Sequence, residues 1–262
     1  MATHIYKPNG PAHDLRKLLA AADAHFDTLP LLAEGESKIL REAAPGIAIV
    51  RLKPTLYSIT FNRSGVVEGT DNLRLRVSEI LWNLLADGGI RTTILAVGER
   101  SYLTEQIDPP PIEVIVKACH VGTPKHIYRN LSERKTRFGS YVKASMAHEP
   151  YVRFDWRNPL PMRDECMPRW LANQFIDVDC AETTALKAFS LLTEFLRQRN
   201  VELLDICLML TESGDAIYGE VSSDCMRVKS MGRDLDKDLW RKGKDARTIL
   251  KQWTHFLNLV QS

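Results

Sequence analysis

The chain has 262 residues, 44% of them hydrophobic and 26% charged, and its 35 Lys and Arg nearly balance its 33 Asp and Glu, for a net charge of +2. This composition is typical of a globular protein with one large domain or two small lobes, and the near-neutral charge gives no support for nucleic acid or a membrane as partner. The five cysteines include no C-x-x-C pair and the seven histidines no H-x-x-x-H pair, which argues against a disulfide framework or a zinc site. With no secretory signal pattern and no long apolar run, the sequence predicts a cytoplasmic protein with free thiols.

The first half of the chain predicts a helix, a set of strands and a second helix. Residues 11–32 carry leucines at helical spacing, and Pro30 is expected to close that helix. The clearest helix is 72–89, where an apolar stripe ends at a Gly-Gly pair. Short segments rich in β-branched residues lie between the two helices and predict an antiparallel sheet: 37–43, 47–54 and 56–62.

The second half begins with further strands and then alternates helices with strands. A proline-rich loop over 108–111 interrupts the strands, because proline cannot donate to a ladder, and marks a boundary between lobes. An amphipathic helix is predicted over 182–200, a hairpin of 201–210 with 215–222, and a closing helix over 245–260. The strands before the boundary and directly after it are predicted at 91–98, 100–107 and 112–119.

These elements predict an α+β protein in three segments. Residues 1–30 form a helical extension, residues 31–111 a β-rich lobe, and residues 112–262 a lobe of mixed helices and strands. The basic stretch 129–143 is more typical of a solvated loop or helix face than of a nucleic-acid site, although a local basic patch remains an alternative.

Several stretches of the chain resemble blocks of one family. They include a strand ending in a glycine turn, a strand pair with a Ser-x-Asp…Arg segment and a Leu-Asp-Lys-Asp block, which lie at 112–123, 203–210 with 220–227, and 235–241. Weaker likenesses occur at 34–38 and 154–164. In this order and spacing they resemble SAICAR synthetase, the ligase of purine biosynthesis that joins aspartate to a carboxylated aminoimidazole ribotide with the use of ATP.

The resemblance covers roughly residues 31–260. It implies an antiparallel β lobe and a mixed α/β lobe with a cleft between them, a small-molecule ribotide as substrate, and assembly into a dimer or a larger homo-oligomer. It also implies substrate contacts at five charged positions of the second lobe: Asp164, Asp224, Asp236, Lys237 and Arg241.

The resemblance implies that the ribotide phosphate is bound by Lys117, Gly122, Thr123 and Arg227. Lys117 and Thr123 replace an arginine and a serine, and they keep the cation and the hydroxyl that a phosphate needs. Gly122 lets the backbone approach the anion. This half of the site is expected to be intact.

The nucleotide loop is only partly kept. Gly35 and Lys38 match the family's glycine loop, but Glu36 replaces one of its two lysines and would repel a triphosphate. A family Lys-Lys pair falls at Glu105 and Gln106. The loop therefore predicts a degenerate nucleotide site.

The magnesium ligands are changed as well. A family Lys-x-Glu falls at Cys207 and Met209, and a second magnesium carboxylate falls at Gly219. Because magnesium prefers oxygen ligands, the sequence predicts no metal site and no required cofactor. The alternative is that ATP and Mg²⁺ are still used, with Glu212 or Glu220 supplying a carboxylate.

One residue is gained where the family has small side chains. His120, beside the phosphate turn, is either a general acid or base with Asp164 as its partner, or a packed residue at a strand end. Cys207 is either a nucleophile or an unreactive side chain packed within an apolar strand.

The leading hypothesis is an enzyme that keeps the ribotide pocket and has lost ATP-driven activation. Homologues of SAICAR synthetase occur in pathways to coformycin and pentostatin, where a ribotide is reshaped into a 1,3-diazepine ring by acid/base chemistry. Two alternatives remain, a true ATP-dependent amide ligase and a non-catalytic ribotide-binding protein.

Overall fold

The computed structural model describes residues 12–58, 63–122, 130–143, 145–159 and 162–262, and it confirms the α+β fold. Within these ranges no helix is both long and apolar enough to cross a membrane.

Helices and strands are distributed along the whole described chain. The helices are α1 (Ala12–Ala24), α2 (Thr70–Asp87), α3 (Arg169–Ala172), α4 (Val178–Arg197), α5 (Asp238–Arg241) and α6 (Ala246–Gln261). The strands are β1 (Leu31–Glu34), β2 (Lys38–Ala44), β3 (Ile47–Leu52), β4 (Thr55–Ser58), β5 (Arg63–Val66), β6 (Arg91–Thr92), β7 (Ile94–Val97), β8 (Ser101–Glu105), β9 (Ile112–Cys119), β10 (Ala147–Trp156), β11 (Glu165–Met167), β12 (Val201–Leu208), β13 (Ala216–Ile217), β14 (Met226–Ser230) and β15 (Arg233–Asp234).

The first sheet is antiparallel and has the strand order β1-β2-β3-β8-β7. Helix α1 packs on one of its faces, where Leu19 and Ala22 meet Ile49 and Leu103. The first helix is shorter than predicted: it ends at Ala24, and a single 3₁₀ turn follows. The residue before Pro30 is extended, as the proline ring requires, and so the chain passes directly into β1.

The second sheet is also antiparallel, with the order β11-β10-β9-β12-β14-β15. Side chains of β9 alternate between its two faces. Ile112, Val114 and Val116 are fully buried in the core that includes Ala185 and Leu192 of α4. The intervening side chains face a cleft, so this alternation positions the candidate site.

The hairpin predicted from 201–210 and 215–222 is wrong in its main pairing. Strand β12 pairs with β9 on one side and with β14 on the other, so it has no free edge for residues 215–222. Strand β13 instead pairs in parallel with β6, and only an isolated bridge between Leu210 and Ile217 joins the two segments.

The two long helices of the second half begin at aspartate caps. Asp177 accepts a hydrogen bond from the backbone N–H of Cys180 at 3.0 Å, and Asp245 accepts one from Thr248 at 2.7 Å. Helix α6 then buries Trp253, Phe256 and Val260, which closes the chain onto the core.

Candidate functional site

A cavity of about 960 Å³ lies over the cleft-facing side of the second sheet and is closed on one side by residues of the first sheet and its loops. Gly35 and Asp236 do not line it, and Thr123 lies outside the described residues. The other residues expected from the sequence do line it, and these are Lys38, Lys117, His120, Gly122, Asp164, Asp224, Arg227, Lys237 and Arg241.

Three charged residues form a row across neighbouring strands at one end of the cavity. Asp205 of β12 stands directly opposite Lys117 of β9 on one side and Arg227 of β14 on the other. Its Oδ2 accepts hydrogen bonds from Lys117 Nζ and from Arg227 Nη1, both at 2.7 Å. Asp205 therefore fixes the two predicted phosphate cations relative to each other.

The turn after β9 closes over these cations. Lys117 Nζ donates a second hydrogen bond to the carbonyl of Val121 at 3.1 Å. Gly122 has a φ of +93°, and a Cβ at this position would lie 3.2 Å from the guanidinium of Arg227. A side chain at Gly122 would thus be strained and would crowd the cation, so the turn depends on glycine.

Cations and carboxylates alternate at this end of the cavity. Asp238 bridges two arginines, because its Oδ2 accepts from Arg227 Nε at 3.1 Å and its Oδ1 from Arg241 Nη1 at 2.7 Å. Burial lowers the pKa of Lys117, and the Asp205 carboxylate opposes that shift.

Asp236, predicted as a substrate ligand, has a structural position instead. Its carboxylate is buried beneath the cavity and accepts the backbone N–H groups of Val228 and Asp238, each at 2.7 Å. Burial and the neighbouring Asp238 raise its pKa to about 7, against the effect of these two hydrogen bonds. It holds the start of α5, and with it Arg241, against β14.

Asp224 and Lys237 form an ion pair inside the cavity, with Nζ and Oδ1 3.4 Å apart. Burial acts to raise the pKa of Asp224, but the charges of Lys237 and Arg74 overcome it and hold the pKa below its usual value. Asp224 is therefore a carboxylate at neutral pH, available as a hydrogen-bond acceptor at the cavity wall.

His120 and Asp164 lie at opposite ends of β9. The backbone of His120, just after the strand, bonds to Met146 and Ser145, each at 2.8 Å. Asp164 accepts a hydrogen bond from the backbone N–H of Asn158 at 3.1 Å and lies near Glu113, at the start of the strand. Since strand residues rise about 3.3 Å each, the two ends of β9 are about 20 Å apart. The structure does not bring them together as an acid/base pair.

In the nucleotide half, the two positions assigned to magnesium carboxylates are in contact. A Cβ added to Gly219 would lie 2.9 Å from both Cβ and Cγ of Met209. The carbonyl of Gly219 also accepts the indole N–H of Trp82 at 3.1 Å. The side chain of Met209 thus packs through its Cβ and Cγ against the backbone of Gly219, where two carboxylates are expected in the family.

Glu220, the main alternative metal ligand, is engaged by other side chains. Its Oε1 accepts from Arg74 Nε at 3.0 Å and from Ser222 Oγ at 2.6 Å, and its Oε2 accepts from Arg74 Nη2. Burial acts to raise the pKa of Glu220, but Arg74 holds it below its usual value. Glu212 is exposed and lies outside the cavity.

The donor set therefore does not fit magnesium. In the described part of the chain, no group of three or more His, Cys, Asp or Glu residues is placed to hold a metal ion. Lys38 still faces the cavity, and burial lowers its pKa even though Glu220 opposes the shift. Burial likewise raises the pKa of the Cys207 thiol well above its ordinary value, so Cys207 is a poor nucleophile.

Sequence reasoning missed three residues of the site: Asp205, Glu113 and Arg74. The first two show a period-2 signal, since Glu113 and Lys117 fall on one face of β9, and Asp205 and Cys207 on one face of β12. Arg74 has no such signal, because its partner Glu220 is far along the chain.

Comparison with known proteins gives consistent results. The family model for SAICAR synthetase matches residues 31–256. A relative from Cordyceps militaris, the bifunctional cordycepin biosynthesis cluster protein 3, is 25% identical over 88% of this chain, but the chain spans only 33% of that protein's length. The phosphoribosylaminoimidazole-succinocarboxamide synthase of Sulfolobus acidocaldarius is 23% identical, with 87% of this chain and 97% of that protein covered.

Solved structures show the same fold. The phosphoribosylaminoimidazole-succinocarboxamide synthase of Ehrlichia chaffeensis superposes with a TM-score of 0.74 at 20% identity, covering 88% of this chain and 98% of that chain. A SAICAR synthetase solved in complex with ADP gives a TM-score of 0.71 at 23% identity, with 87% and 96% covered. The extent of the family match leads to one conclusion: the chain belongs to the SAICAR synthetase family.

Proposed function

We propose that this protein binds a phosphorylated imidazole or purine ribotide and acts on it in nucleoside biosynthesis without activation by ATP and magnesium. The observation that carries the proposal is the unequal cavity. One end holds the row of Lys117, Asp205 and Arg227, and at the other the two positions that the family resemblance assigns to magnesium carboxylates, Met209 and Gly219, carry no side-chain oxygen.

The cationic end suits a phosphate monoester. Lys117 and Arg227 are held side by side by Asp205, and the turn at Gly122 brings backbone against them. A dianionic phosphate can take hydrogen bonds from both cations. Fixing the cations in advance reduces the entropy lost on binding.

The opposite end argues against phosphoryl transfer. Magnesium bridges phosphate oxygens in that chemistry and is held by carboxylates, whereas Met209 has a thioether and Gly219 no side chain. Glu220 already accepts three hydrogen bonds from Arg74 and Ser222. No step through ATP is therefore assigned to this chain.

The similarity to a cordycepin cluster protein supports nucleoside biosynthesis as the setting. Acid/base chemistry on a ribotide ring, of the kind that leads to a 1,3-diazepine nucleoside, requires a phosphate anchor and proton transfer but no phosphoryl donor. That coformycin or pentostatin type of product remains our hypothesis, as do a homo-oligomer and a cytoplasmic location.

One assay separates this function from that of an amide ligase. The protein is incubated with carboxyaminoimidazole ribotide, aspartate, ATP and Mg²⁺, and ADP and the amide product are quantified by mass spectrometry. We expect neither to form above the level without enzyme. Amide formation that requires ATP would overturn the proposal in favour of a true ligase.

Ribotide binding is tested separately by calorimetry. Arg227→Ala removes one phosphate cation and is expected to weaken ribotide binding about tenfold or more, because hydrogen bonds to charged groups contribute about 1.5–3 kcal/mol. Arg227→Lys should recover part of the affinity. Arg197→Ala, at an exposed arginine of α4, is the matched control. Absence of ribotide binding by the wild type would overturn the proposal.

A further inference from the structure

The direction in which a bound ribotide extends follows from the shape of the cavity. Phosphate cations Lys117 and Arg227 lie at one end, where the turn over Val121 and Gly122 closes the cavity. The phosphate and the heterocycle of a ribotide are attached to opposite ends of a ribose. With the phosphate under the turn, the heterocycle has to extend away from it along the sheet.

The regular spacing of residues along β9 gives the distance that the ribotide has to span. The side chains of β9 that face the cavity are those of Glu113, Ile115 and Lys117. At a rise of about 3.3 Å per residue, Glu113 lies about 13 Å from Lys117, on the side away from the turn. His120 lies on the other side of Lys117, next to the phosphate. Glu113, and not His120, is therefore the titratable group of this strand that the heterocycle approaches.

The surroundings of Glu113 favour a protonated carboxyl. Burial raises its pKa, and the negative charge of Asp164 adds to that shift, while Lys237 and Arg157 oppose it from a distance. The Cys207 thiol of β12 donates a hydrogen bond to the carboxyl, which opposes the upward shift of the pKa of Glu113, and the thiol itself stays neutral because burial raises its own pKa.

The carboxylate opposite Glu113 on the neighbouring strand is already neutralised. Asp155 of β10 is the cross-strand partner of Glu113 and forms an ion pair with Arg153 at 2.8 Å. Its charge is therefore balanced locally, and the neighbouring carboxylate that acts on Glu113 is that of Asp164.

We propose that Glu113 is the catalytic acid that gives a proton to a ring nitrogen of the ribotide heterocycle. The O–H bond of Glu113 breaks and an N–H bond forms on the ring, which gains one positive charge. The resulting carboxylate is reprotonated by a hydronium ion or buffer acid of the solvent. No electrons are transferred, and no co-reactant is needed. The inference rests on the proposed ribotide site and assigns its acid.

Calorimetric titration against pH tests this assignment without knowledge of the product. Two probes are compared between pH 5.5 and 8: aminoimidazole carboxamide ribotide, and ribose 5-phosphate, which carries the phosphate but no base. Since a bound ring nitrogen stabilises protonated Glu113, ribotide affinity should fall as pH rises, by about tenfold for each unit by which binding raises the pKa. Ribose 5-phosphate shows only the titration of the phosphate itself.

Two substitutions separate Glu113 from its neighbours. Glu113→Gln keeps the shape of the side chain and should reduce the extra pH dependence of the ribotide to that of ribose 5-phosphate. Cys207→Lys places a cation against Glu113, which lowers its pKa, and should shift the falling phase to lower pH. Cys180→Lys adds the same charge on α4 outside the cavity and is the matched control.

The outcomes distinguish the two proposals. If ribose 5-phosphate and the ribotide both fail to bind, the proposed function is wrong. If both bind and need Arg227, but Glu113→Gln leaves the pH dependence unchanged, the assignment of Glu113 is overturned and the ribotide site stands. Loss of the pH dependence in His120→Asn but not in Glu113→Gln would likewise overturn it.

Discussion

Met209 and Gly219 are in contact, because a Cβ on Gly219 would lie 2.9 Å from Cβ and Cγ of Met209. The sequence resemblance assigns both positions to magnesium carboxylates, and their proximity supports that assignment. Neither residue carries an oxygen ligand on its side chain. Two losses at neighbouring positions of one metal site are more economically explained by loss of the metal than by independent drift.

This contact predicts the effect of restoring the carboxylates. Gly219→Asp alone forces its Cβ against Met209 and should lower the free energy of unfolding by about 1–3 kcal/mol, as overpacking does. In Met209→Glu/Gly219→Asp the two carboxylates repel each other until a cation binds. Thermal melts should therefore show a Tm that rises with Mg²⁺ in the double variant only. A comparable rise in the wild type would contradict this account.

The row of Lys117, Asp205 and Arg227 predicts a role for the central carboxylate. Asp205→Asn leaves the buried Lys117 without its counter-charge and Arg227 with Asp238 alone, and it should lower the free energy of unfolding by about 3–5 kcal/mol. Inorganic phosphate should restore part of that loss by binding the uncompensated cations. Urea melts with and without phosphate measure both effects. Asp87→Asn, at an exposed residue of α2, should change stability by less than about 0.5 kcal/mol.

The raised pKa of Asp236 predicts a dependence of stability on pH. Its folded pKa of about 7 lies above its ordinary value of 3.8, so the folded state holds more protons between these values. Stability from this group is present at low pH and falls as pH rises towards 7, by at most about 1.4 kcal/mol per pH unit. Urea melts at pH 5, 6 and 7 should show this decline in the wild type and a flatter profile in Asp236→Asn. Equal slopes in the two proteins would contradict the assignment.

The buried pair of Arg74 and Glu220 predicts the result of freeing the carboxylate. Arg74→Met removes the partner of a buried charge and should lower the free energy of unfolding by about 3–5 kcal/mol. The matched variant Arg74→Met/Glu220→Leu removes both charges and should recover most of that loss. Chemical denaturation of the three proteins measures the coupling, and a double variant no more stable than Arg74→Met would show that Glu220 is not held by Arg74.

The sequence predicted the elements better than their arrangement. The alternation of buried and cleft-facing residues along β9 and the apolar stripes of the helices can be recognised from short stretches of sequence. The family resemblance assigned Lys117 and Arg227 to one phosphate. The register that places Asp205 between them depends on pairing across three strands and has no local signal. The separation of His120 from Asp164 depends on the pairing of β11 with β10 and of β10 with β9, so the length of β9 alone does not predict it. The hydrogen bonds of Arg74 to Glu220 could not be foreseen either, since the two residues are distant in sequence.

The most direct test of the central claim is titration of the wild-type protein with ATP in the presence and absence of Mg²⁺, beside a titration with aminoimidazole carboxamide ribotide. The account predicts binding of the ribotide that depends on Arg227, and no magnesium-dependent binding of ATP. Tight ATP binding that requires Mg²⁺ would contradict it and would show that the nucleotide half of the site still works.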